Sequence, residues 1–391
     1  MRKSSMKVVQ VHNFYRIRGG EEEVLDATVN LLKKKGIAVH VETQDSRQIT
    51  NTGWSRVKAL GSGIYSFSAA RAMEELIAKQ RPDVVHCHNL LPLFSPSVLV
   101  ACRRAGVAVV MTCHNFRLVC PTRSHARRGK VCELCVGGRE YWCALTNCRD
   151  NISESMAYAV QNVVHRKLRL FSDNVSLFLA ISHVVRDRLV EAGIQCDKIV
   201  VVPNMVTLPN ATANCLDGKY FGFIGRFNHY KGIDTLLEAA EEAKLPVHFA
   251  GDYSLMVDIV HKSPEGVVFR GPLRGSEKRA FFENALCVVV PSKHMEPFGI
   301  VAIEAMSYSL PVIASNMGGL KEIVDHGVTG FLVEPGDATE LASKMKILWN
   351  DRKLCQRLGA AGREKAAREY SEAAYYKRLM AAYETAITNN K

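Results

Sequence analysis

The sequence predicts an α/β protein built from two doubly wound domains, each with a parallel sheet that carries helices on both faces. Runs that are apolar throughout alternate with longer helical patterns along most of the 391 residues. Strands buried on both faces of a parallel sheet have this composition. The same alternation starts again after a segment at 203–219 that is rich in Pro, Asn and Thr. This restart predicts two domains of the same class.

The first half supplies the elements of one sheet. Its predicted strands are VVQVHNF, IAVHVE, PDVVHCHN, VAVVMTCHN, SLFLAIS and KIVVVPN. Helical patterns lie between them at 23–36, 68–80, 96–105 and 152–171. The first of these carries apolar residues at helical spacing and ends at Gly36, which is a typical helix stop.

The second half repeats this order. Its predicted strands are YFGFIGRF, PVHFAGD, GVVFRGP, LCVVVPS and PVIASN. DTLLEAAEEA, VAIEAMSYS and ELASKMKILWN are the predicted helices, and the last 40 residues are helical as well.

Composition is that of an ordinary globular protein, with 47% hydrophobic and 23% charged residues. No apolar run reaches the length of about 18 residues that a membrane span needs. The apolar stretch VVQV near the N-terminus is too short for the core of a signal peptide. These features predict a cytoplasmic protein, in which thiols are normally reduced.

Positive charge is concentrated in the first half. Residues 1–215 contain 29 Lys and Arg against 17 Asp and Glu, whereas 216–391 contain 22 of each, so the net charge of +12 belongs to the first half. Such a field attracts nucleic acid, anionic lipid headgroups or phosphorylated substrates. A solvated surface that only keeps the protein soluble explains the charge equally well.

Two motifs of the first half are weak signals when each is taken alone. Gly19 and Gly20 of RIRGGEEEV follow the first strand and open the first helix, where backbone N–H groups could approach an anion. A plain βα turn is the stronger reading of a glycine pair. His114 of MTCHNF ends a strand at the sheet edge where doubly wound proteins bind ligands. A single histidine is more often structural.

Two motifs of the second half carry more chemistry. FIGRFNHYKGID places Arg226 and Lys231 in the loop after a strand, where two cations suit a diphosphate as well as a charged surface. EPFGIVAIEAM separates Glu296 from Glu304 by seven residues. Glu304 lies among apolar neighbours, and a carboxylate there needs a partner such as a pair of ribose hydroxyls. The start of this helix offers free N–H groups to a phosphate.

Five of the twelve cysteines lie within 29 residues, in CPTRSHARRGKVCELCVGGREYWCALTNC at 120–148. A CxxC pair with further cysteines at a distance fits a tetrahedral zinc site. A disulfide clip, which a reducing compartment disfavours, and free thiols are the alternatives.

These motifs together resemble glycosyltransferase family 4, a group of retaining enzymes that use nucleotide sugars. The resemblance covers nearly the whole chain through RGGEEEV, TCHNF, VVPNMV, IGRFNHYKGID, the EX7E pattern EPFGIVAIEAM and GGLKEIV. It implies the GT-B fold, with two Rossmann-like domains that face a cleft. The N-terminal, acceptor-side domain would span 1–203, the nucleotide-sugar domain 204–371, and a C-terminal helix at 372–391 would pack back toward the first domain.

The resemblance also implies a role for each matching residue. The donor diphosphate would meet Gly19 and Gly20, and Arg226 and Lys231 would neutralise it as it leaves. Glu304 would hold the ribose hydroxyls, and Glu296 the hydroxyls of the transferred sugar. The remaining assignments place Phe298, Gly299 and Ile300 at the sugar and phosphate and His114 at the reacting centre. His114, Glu296, Arg226 and Lys231 form the predicted catalytic set.

The resemblance implies a UDP- or GDP-sugar donor and a glycan or polyprenyl-diphosphate-linked acceptor. No D-x-D motif occurs, so we expect catalysis without a metal ion, with Arg and Lys stabilising the leaving group. The basic first half fits an anionic membrane surface. A sugar-nucleotide epimerase of the same fold, a non-catalytic relative and a zinc-bearing nucleic-acid binder are the rival readings. The EX7E pattern beginning at EPFG argues against the epimerase, and the presence of charged residues such as Glu296 and Lys231 argues against a non-catalytic relative. The absence of a recognition helix after the cysteine segment argues against a nucleic-acid binder.

Insertions of the form CP…CxxC…C also resemble those of some members of this family. Together with the zinc-like spacing, this favours Cys120, Cys132, Cys135 and Cys148 as ligands of a structural zinc ion, and it leaves Cys143 spare. Such a metal would hold a basic loop in shape and take no part in sugar transfer.

Overall fold

The computed structural model of the chain describes residues 6–16, 19–48, 61–254, 256–261 and 263–390. Ile17 and Arg18 of the first glycine motif therefore lie outside the described residues. The chain forms two compact units. The first contains 1–124, 133–203 and 376–391, and the second contains 125–132 and 204–375.

The first unit is built on a six-stranded parallel sheet. Its strands are β1 (Lys7–Phe14), β2 (Ala38–Asp45), β3 (Val84–Cys87), β4 (Ala108–Cys113), β7 (Leu177–Ala180) and β8 (Ile199–Val201). Between β4 and β7 in the chain lies an antiparallel hairpin, β5 (Ala126–Arg127) with β6 (Lys130–Val131), which belongs to the second unit. The order across the sheet is β2-β1-β3-β4-β7-β8. Strands β3, β4 and β7 are buried at every position, which explains their uninterrupted apolar sequences.

Helices cover the faces of this sheet. They are α1 (Gly20–Lys34), α2 (Phe67–Gln80), α3 (Ser97–Arg104), α4 (Tyr141–Leu145), α5 (Ile152–Lys167) and α6 (His183–Glu191). Local sequence favours several of these ends. Helix α1 has three glutamates in its first turn and two lysines in its last, which complements the helix dipole. The side chain of Asn151 caps α5 by accepting a hydrogen bond from the amide of Glu154.

The second unit repeats the architecture. Its strands are β9 (Tyr220–Ile224), β10 (Val247–Ala250), β11 (Val267–Phe269), β12 (Ala285–Val290), β13 (Val312–Ser315) and β14 (Gly330–Val333). All pair in parallel, in the order β11-β10-β9-β12-β13-β14. Its helices are α7 (Ile233–Ala243), α8 (Val257–His261), α9 (Gly275–Asn284), α10 (Ile300–Ser307), α11 (Leu320–Ile323), α12 (Ala338–Asn350) and α13 (Arg352–Glu369). The predicted class, two doubly wound parallel sheets, is confirmed.

The strand order fixes where each unit can bind a ligand. In the first sheet β1 has β2 on one side and β3 on the other. In the second sheet β9 has β10 on one side and β12 on the other. Loops that leave two such strands in opposite directions open a crevice at the carboxyl edge of the sheet. The loops after β1, β3 and β4, and those after β9 and β12, therefore carry the candidate residues.

The last helix, α14 (Glu372–Asn389), begins in the second unit and belongs to the first from Tyr376 onward. Tyr383 is fully buried there, and its hydroxyl lies 2.8 Å from Nδ1 of His86 in β3. The end of the chain is therefore part of the core of the first unit. In the described ranges, no helix combines the length and the apolar character needed to cross a bilayer.

Candidate functional site

Glu296 lies in the loop after β12 and is the most constrained carboxylate of the second unit. Its side chain is only 9% exposed, yet it is surrounded by donors. The hydroxyl of Ser292 donates to its Oε1 at 2.6 Å, and Nζ of Lys231 donates to the same oxygen. Nε2 of His294 lies 3.8 Å from the other oxygen. The arrangement stabilises a buried negative charge beside the loop after β9.

Electrostatics keep Glu296 ionised. Burial alone raises the pKa of this carboxyl group, but the nearby Lys231 and His294 and the hydrogen bonds from Lys231 and Ser292 outweigh it and lower the pKa to about 2. At neutral pH, Glu296 is therefore a hydrogen-bond acceptor. That is the chemistry needed to hold sugar hydroxyls.

Lys231 is positioned by a tight turn in the loop after β9. Asn228 caps the turn through its side-chain oxygen, and Gly232 follows in the left-handed region with φ +68°. A Cβ atom on Gly232 would lie 1.8 Å from the carbonyl oxygen of Pro291, so only glycine fits there. The amide of Lys293 donates to the carbonyl of Tyr230 at 2.7 Å. The loops after β9 and β12 are thus fastened together.

Arg226 follows β9 and is exposed to solvent. It lies close enough to His294 for their charges to interact. Burial, Lys231 and Arg226 lower the pKa of His294, while Glu296 acts in the opposite direction. The loops after β9 and β12 therefore bring two cations and an imidazole to the neighbourhood of Glu296.

Helix α10 begins beside this cluster. Gly299 precedes it with φ +124°, and no described side chain caps its first turn. Uncapped helix starts direct free N–H groups outward, and the helix dipole favours an anion there. Phe298 is buried and packs edge-on against Tyr370, with ring centroids 5.9 Å apart. The amides of Gly299 and Ile300 are thus available at a fixed helix start.

Glu304 lies in α10 and is partly buried, with 19% of its side chain exposed. Nζ of Lys278 donates to its Oε1 at 2.6 Å. This lysine is the partner that an acid among apolar neighbours requires. It comes from α9, and no motif in the sequence singles it out.

The glycine pair after β13 supports the Glu296 loop. Gly318 has φ +59°, and a Cβ atom there would lie 2.4 Å from the carbonyl oxygen of Glu296. The amide of Gly319 donates to that same oxygen at 2.8 Å. This turn therefore fixes the backbone that carries the carboxylate.

His114 follows β4 in the first unit and is one end of a buried hydrogen-bonded chain. Its Nε2 lies 2.8 Å from Nδ1 of His88, and Nε2 of His88 lies 2.8 Å from Oε1 of Gln10. The amide nitrogen of Gln10 donates to the hydroxyl of Tyr383 at 3.2 Å. Burial lowers the pKa of His114 to about 4. At neutral pH, His114 is therefore a neutral hydrogen-bonding group whose ring is held by His88.

The glycine motif lies close to this histidine. The amide of Gly19 donates to Oε2 of Glu22 at 2.7 Å, so this N–H is already bonded within the loop. Gly20 is the first residue of α1. Asn115 donates to Oε1 of Glu21 at 2.6 Å, which joins the start of α1 to the end of β4.

The structure thus assembles two groups. Most of the predicted donor residues meet in the second unit, and Gly19, Gly20 and His114 meet in the first. Sequence reasoning missed four polar neighbours: Ser292, His294, Lys278 and His88. Ser292 and His294 lie beside the EX7E motif and His88 lies at a strand end, so their positions were a usable signal.

Four cysteines of the predicted zinc segment lie in the first unit. Cys135 and Cys143 share one small buried cluster, and Cys148 packs against it. Burial and the neighbouring Cys148 and Cys120 thiols raise the pKa of Cys143 to about 12. Cys132 belongs to the segment 125–132, which is part of the second unit. Among the described residues, no three His, Cys, Asp or Glu side chains are placed so that they could hold a metal ion, so the zinc site stays a prediction.

Comparison with known families divides the chain within a few residues of the boundary between its two units. The profile described as Glycosyltransferase Family 4 matches residues 18–208, and the profile described as Glycosyl transferases group 1 matches residues 208–365.

Individual relatives agree with these matches. O-antigen chain mannosyltransferase C of Escherichia coli is 31% identical over 380 residues, which cover 92% of this chain and 93% of that protein. Phosphatidyl-myo-inositol mannosyltransferase of Mycobacterium leprae is 29% identical over 205 residues, about half of each chain. Anabaena HepE, solved with UDP and glucose, superposes with a TM-score of 0.66 at 18% identity and covers 97% of this chain and 99% of its own.

Proposed function

Because this chain belongs to glycosyltransferase family 4 and has the GT-B fold, we propose that it moves a sugar from a nucleotide diphosphate to a hydroxyl of a glycan or lipid-linked acceptor, with retention of anomeric configuration. The observation that carries the proposal is the buried pair of Lys231 and Glu296, placed at the start of the helix that also bears Glu304. A polysaccharide or glycolipid product agrees with the two mannosyltransferase relatives.

The charges of the site suit this reaction. The bond from the sugar's anomeric carbon to the diphosphate breaks, and negative charge develops on the leaving phosphate. Lys231, Arg226 and the amides at the start of α10 would stabilise that charge in place of a metal ion. The acceptor oxygen would bond to the anomeric carbon on the face that the phosphate leaves, and the departing phosphate oxygen would take the acceptor's proton.

The two glutamates would divide the donor between them. Glu296, held ionised, would accept hydrogen bonds from hydroxyls of the transferred sugar. Glu304 would accept those of the ribose, with Lys278 as its counter-ion.

His114 is neutral, and its single N–H is taken by His88. Gln10 Oε1 accepts from Nε2 of His88, so Nδ1 of His88 accepts from Nε2 of His114. Nδ1 of His114 is therefore left as an acceptor, which would receive a hydrogen bond from a hydroxyl of the sugar at the reacting carbon.

The acceptor is proposed to bind the first unit, where the excess positive charge lies. A polyprenyl-diphosphate-linked glycan at the inner face of the cytoplasmic membrane suits that charge. On this proposal the enzyme works in the cytoplasm and associates with the membrane surface without spanning it.

A panel of UDP-, GDP-, ADP- and TDP-sugars tests the function, with and without acceptor glycans. We expect sugar transfer from one donor class, a product of the same anomeric configuration by NMR, and full activity in EDTA. An absolute requirement for added divalent metal would contradict the proposed role of Lys231 and Arg226. Conversion of the donor to its epimer without any acceptor would instead favour the sugar-nucleotide epimerase.

We propose further that the cysteine segment binds a structural zinc ion, for which Cys143 is a better fourth thiol than Cys132 because it packs with Cys135 and Cys148. Elemental analysis of purified protein should find one equivalent of zinc. Cys143→Ser should lower this content and Cys132→Ser should not. Wild-type protein without zinc, and with all five thiols of the segment reactive in the native state, would refute the metal site.

A further inference from the structure

The first unit contains a cavity that the proposed donor chemistry does not use. Its volume is about 280 Å³, and it lies between α5, the loop after β4 and the segment after α6. Leu91, Leu118, Phe171 and Ile194 form apolar parts of its wall. Asn162, His165 and Ser172 add polar groups, so the cavity is large enough for several non-hydrogen atoms and has both apolar and polar walls.

Three arginines, Arg117, Arg166 and Arg169, also line this cavity, and no acidic side chain of the described chain does. Two of them are already paired. Arg166 donates to Glu140 at 2.6 Å, and Arg169 donates to Asp173 at 2.8 Å. The cavity thus combines apolar walls with three cationic side chains.

Arg117 differs from the other two arginines. Its Nε is buried and has no hydrogen-bond partner within the described parts of the chain. A buried donor on a charged group is costly to leave unbonded. Its guanidinium lies 5.9 Å from the ring centroid of Tyr158, a contact that gives Nε–H no hydrogen-bond acceptor. These features indicate a site for an anion.

The position of Arg117 connects this pocket to the reacting side of the unit. A smaller cavity beside it is lined by His114, His88 and Glu21, and also by Arg117 and Phe171. Arg117 therefore borders both cavities. An anion bound to Arg117 would hold its adjoining group next to His114.

The outer face of α5 offers a route for an apolar chain. Ile152, Met156 and Val160 follow one another at intervals of four and are 59%, 54% and 49% exposed. Leu168, just beyond the helix, is 64% exposed. This apolar stripe and Arg166 lie on the same helix, an arrangement that matches the interface between lipid chains and anionic headgroups.

We propose that the arginine pocket binds the phosphate of a lipid-linked acceptor, with Arg117 as the anchoring cation and the apolar wall in contact with the first part of the lipid. The inference rests on the proposed function, since it names the acceptor class of that same enzyme. The bidentate geometry of arginine suits a phosphate oxygen pair, and the apolar wall excludes free phosphate as the preferred ligand.

Calorimetric titration with farnesyl phosphate, farnesol and inorganic phosphate tests the pocket. Wild-type protein should bind farnesyl phosphate more tightly than either other probe. Arg117→Met, which keeps the side-chain volume, should weaken this binding by about 10- to 100-fold, the scale of one lost charge-assisted hydrogen bond. Arg117→Lys keeps the charge but loses the bidentate geometry of the guanidinium, so its affinity for farnesyl phosphate should lie between those of wild type and Arg117→Met. Arg71→Met is the control, because Arg71 is exposed on α2 and pairs only with Glu75 among its described contacts.

Each other outcome overturns the proposal in a defined way. If farnesol binds as tightly as farnesyl phosphate, the pocket does not recognise the phosphate. If inorganic phosphate binds as tightly as farnesyl phosphate, the apolar wall does not contribute to binding. Binding of glucuronic acid as tight as that of farnesyl phosphate would assign the pocket to an acidic glycan. An affinity unchanged in Arg117→Met would remove the anchoring role.

Failure of this proposal can be told apart from failure of the proposed function. UDP and GDP binding, measured on the same variants, should be unaffected by Arg117→Met. If the protein transfers sugar normally but does not bind farnesyl phosphate, the proposed function is supported and the pocket proposal is wrong. If the protein binds farnesyl phosphate through Arg117 but transfers no sugar from any donor, the pocket proposal is supported and the proposed function is wrong.

Discussion

Replacement of Lys231 by alanine should lower turnover by about 100-fold or more, the scale for removal of one group that stabilises developing charge. Lys231 is the only cation that donates a hydrogen bond to Glu296 among the described residues. It lies on a turn that only glycine at position 232 can close. The loss should appear mainly in kcat, because the charge that Lys231 is proposed to neutralise is greatest in the transition state.

Lys293 provides a matched control for this change. It is 25% exposed against 23% for Lys231, and its Nζ donates to Asp234 at 2.6 Å in the same pair of loops. Lys293→Ala should leave kcat within about threefold of wild type, because a half-exposed pair of this kind is worth little. Equal losses in the two variants would mean that any lysine in these loops matters, and that Lys231 has no particular role at the diphosphate.

The pH dependence of folding stability provides a second test of the contact between Lys231 and Glu296. The pKa of Glu296 is lowered to about 2 in the folded protein, below its ordinary value of 4.5. Its ionisation therefore stabilises the fold at pH values above 4.5, and this contribution, on the order of 3 kcal/mol, is lost as the pH falls toward 2. Thermal unfolding between pH 6 and 2 should show that Lys231→Ala has lost much of this dependence.

The fold was predictable from sequence because its central strands are apolar at nearly every position. The short strand β14 was missed, since GFLV follows a turn and offers only four residues. Helices α6 and α9 were missed as well, because HVVRDRLVE and GSEKRAFFEN mix charged and apolar residues without a clean stripe. These elements depend on packing against the sheets more than on local pattern.

The candidate site, too, was predictable only in part from the sequence. The two glutamates were singled out because of their fixed spacing, with Glu296 in the loop before α10 and Glu304 inside that helix. Lys278 was not found, since its contact with Glu304 joins two elements that are 26 residues apart and is created only by folding. The pairing of Cys143 with Cys135 and Cys148 is of the same kind, because the spacing of cysteines does not reveal which thiols the loop turns inward.

Replacement of Gly318 by alanine should greatly lower the activity of the enzyme, although Gly318 contacts no substrate in the proposed reaction. The residue has φ +59°, and an added Cβ atom would lie 2.4 Å from the carbonyl oxygen and 2.7 Å from the amide nitrogen of Glu296. Neither backbone atom can move without shifting the carboxylate itself. A displacement of about 1 Å at a reacting group can cost about 100-fold in rate. We expect a loss of that size in kcat/KM.

Gly327 separates this effect from simple backbone strain. Its φ is +76°, but a Cβ atom there would meet nothing within 4 Å. Gly327→Ala should cost about 1–2 kcal/mol of stability for the left-handed conformation and leave kcat/KM unchanged. Gly318→Ala should show a similar or larger loss of stability together with the loss of rate. Full activity in Gly318→Ala would show that the Glu296 loop tolerates displacement, and it would remove that carboxylate from the positions that the reaction requires.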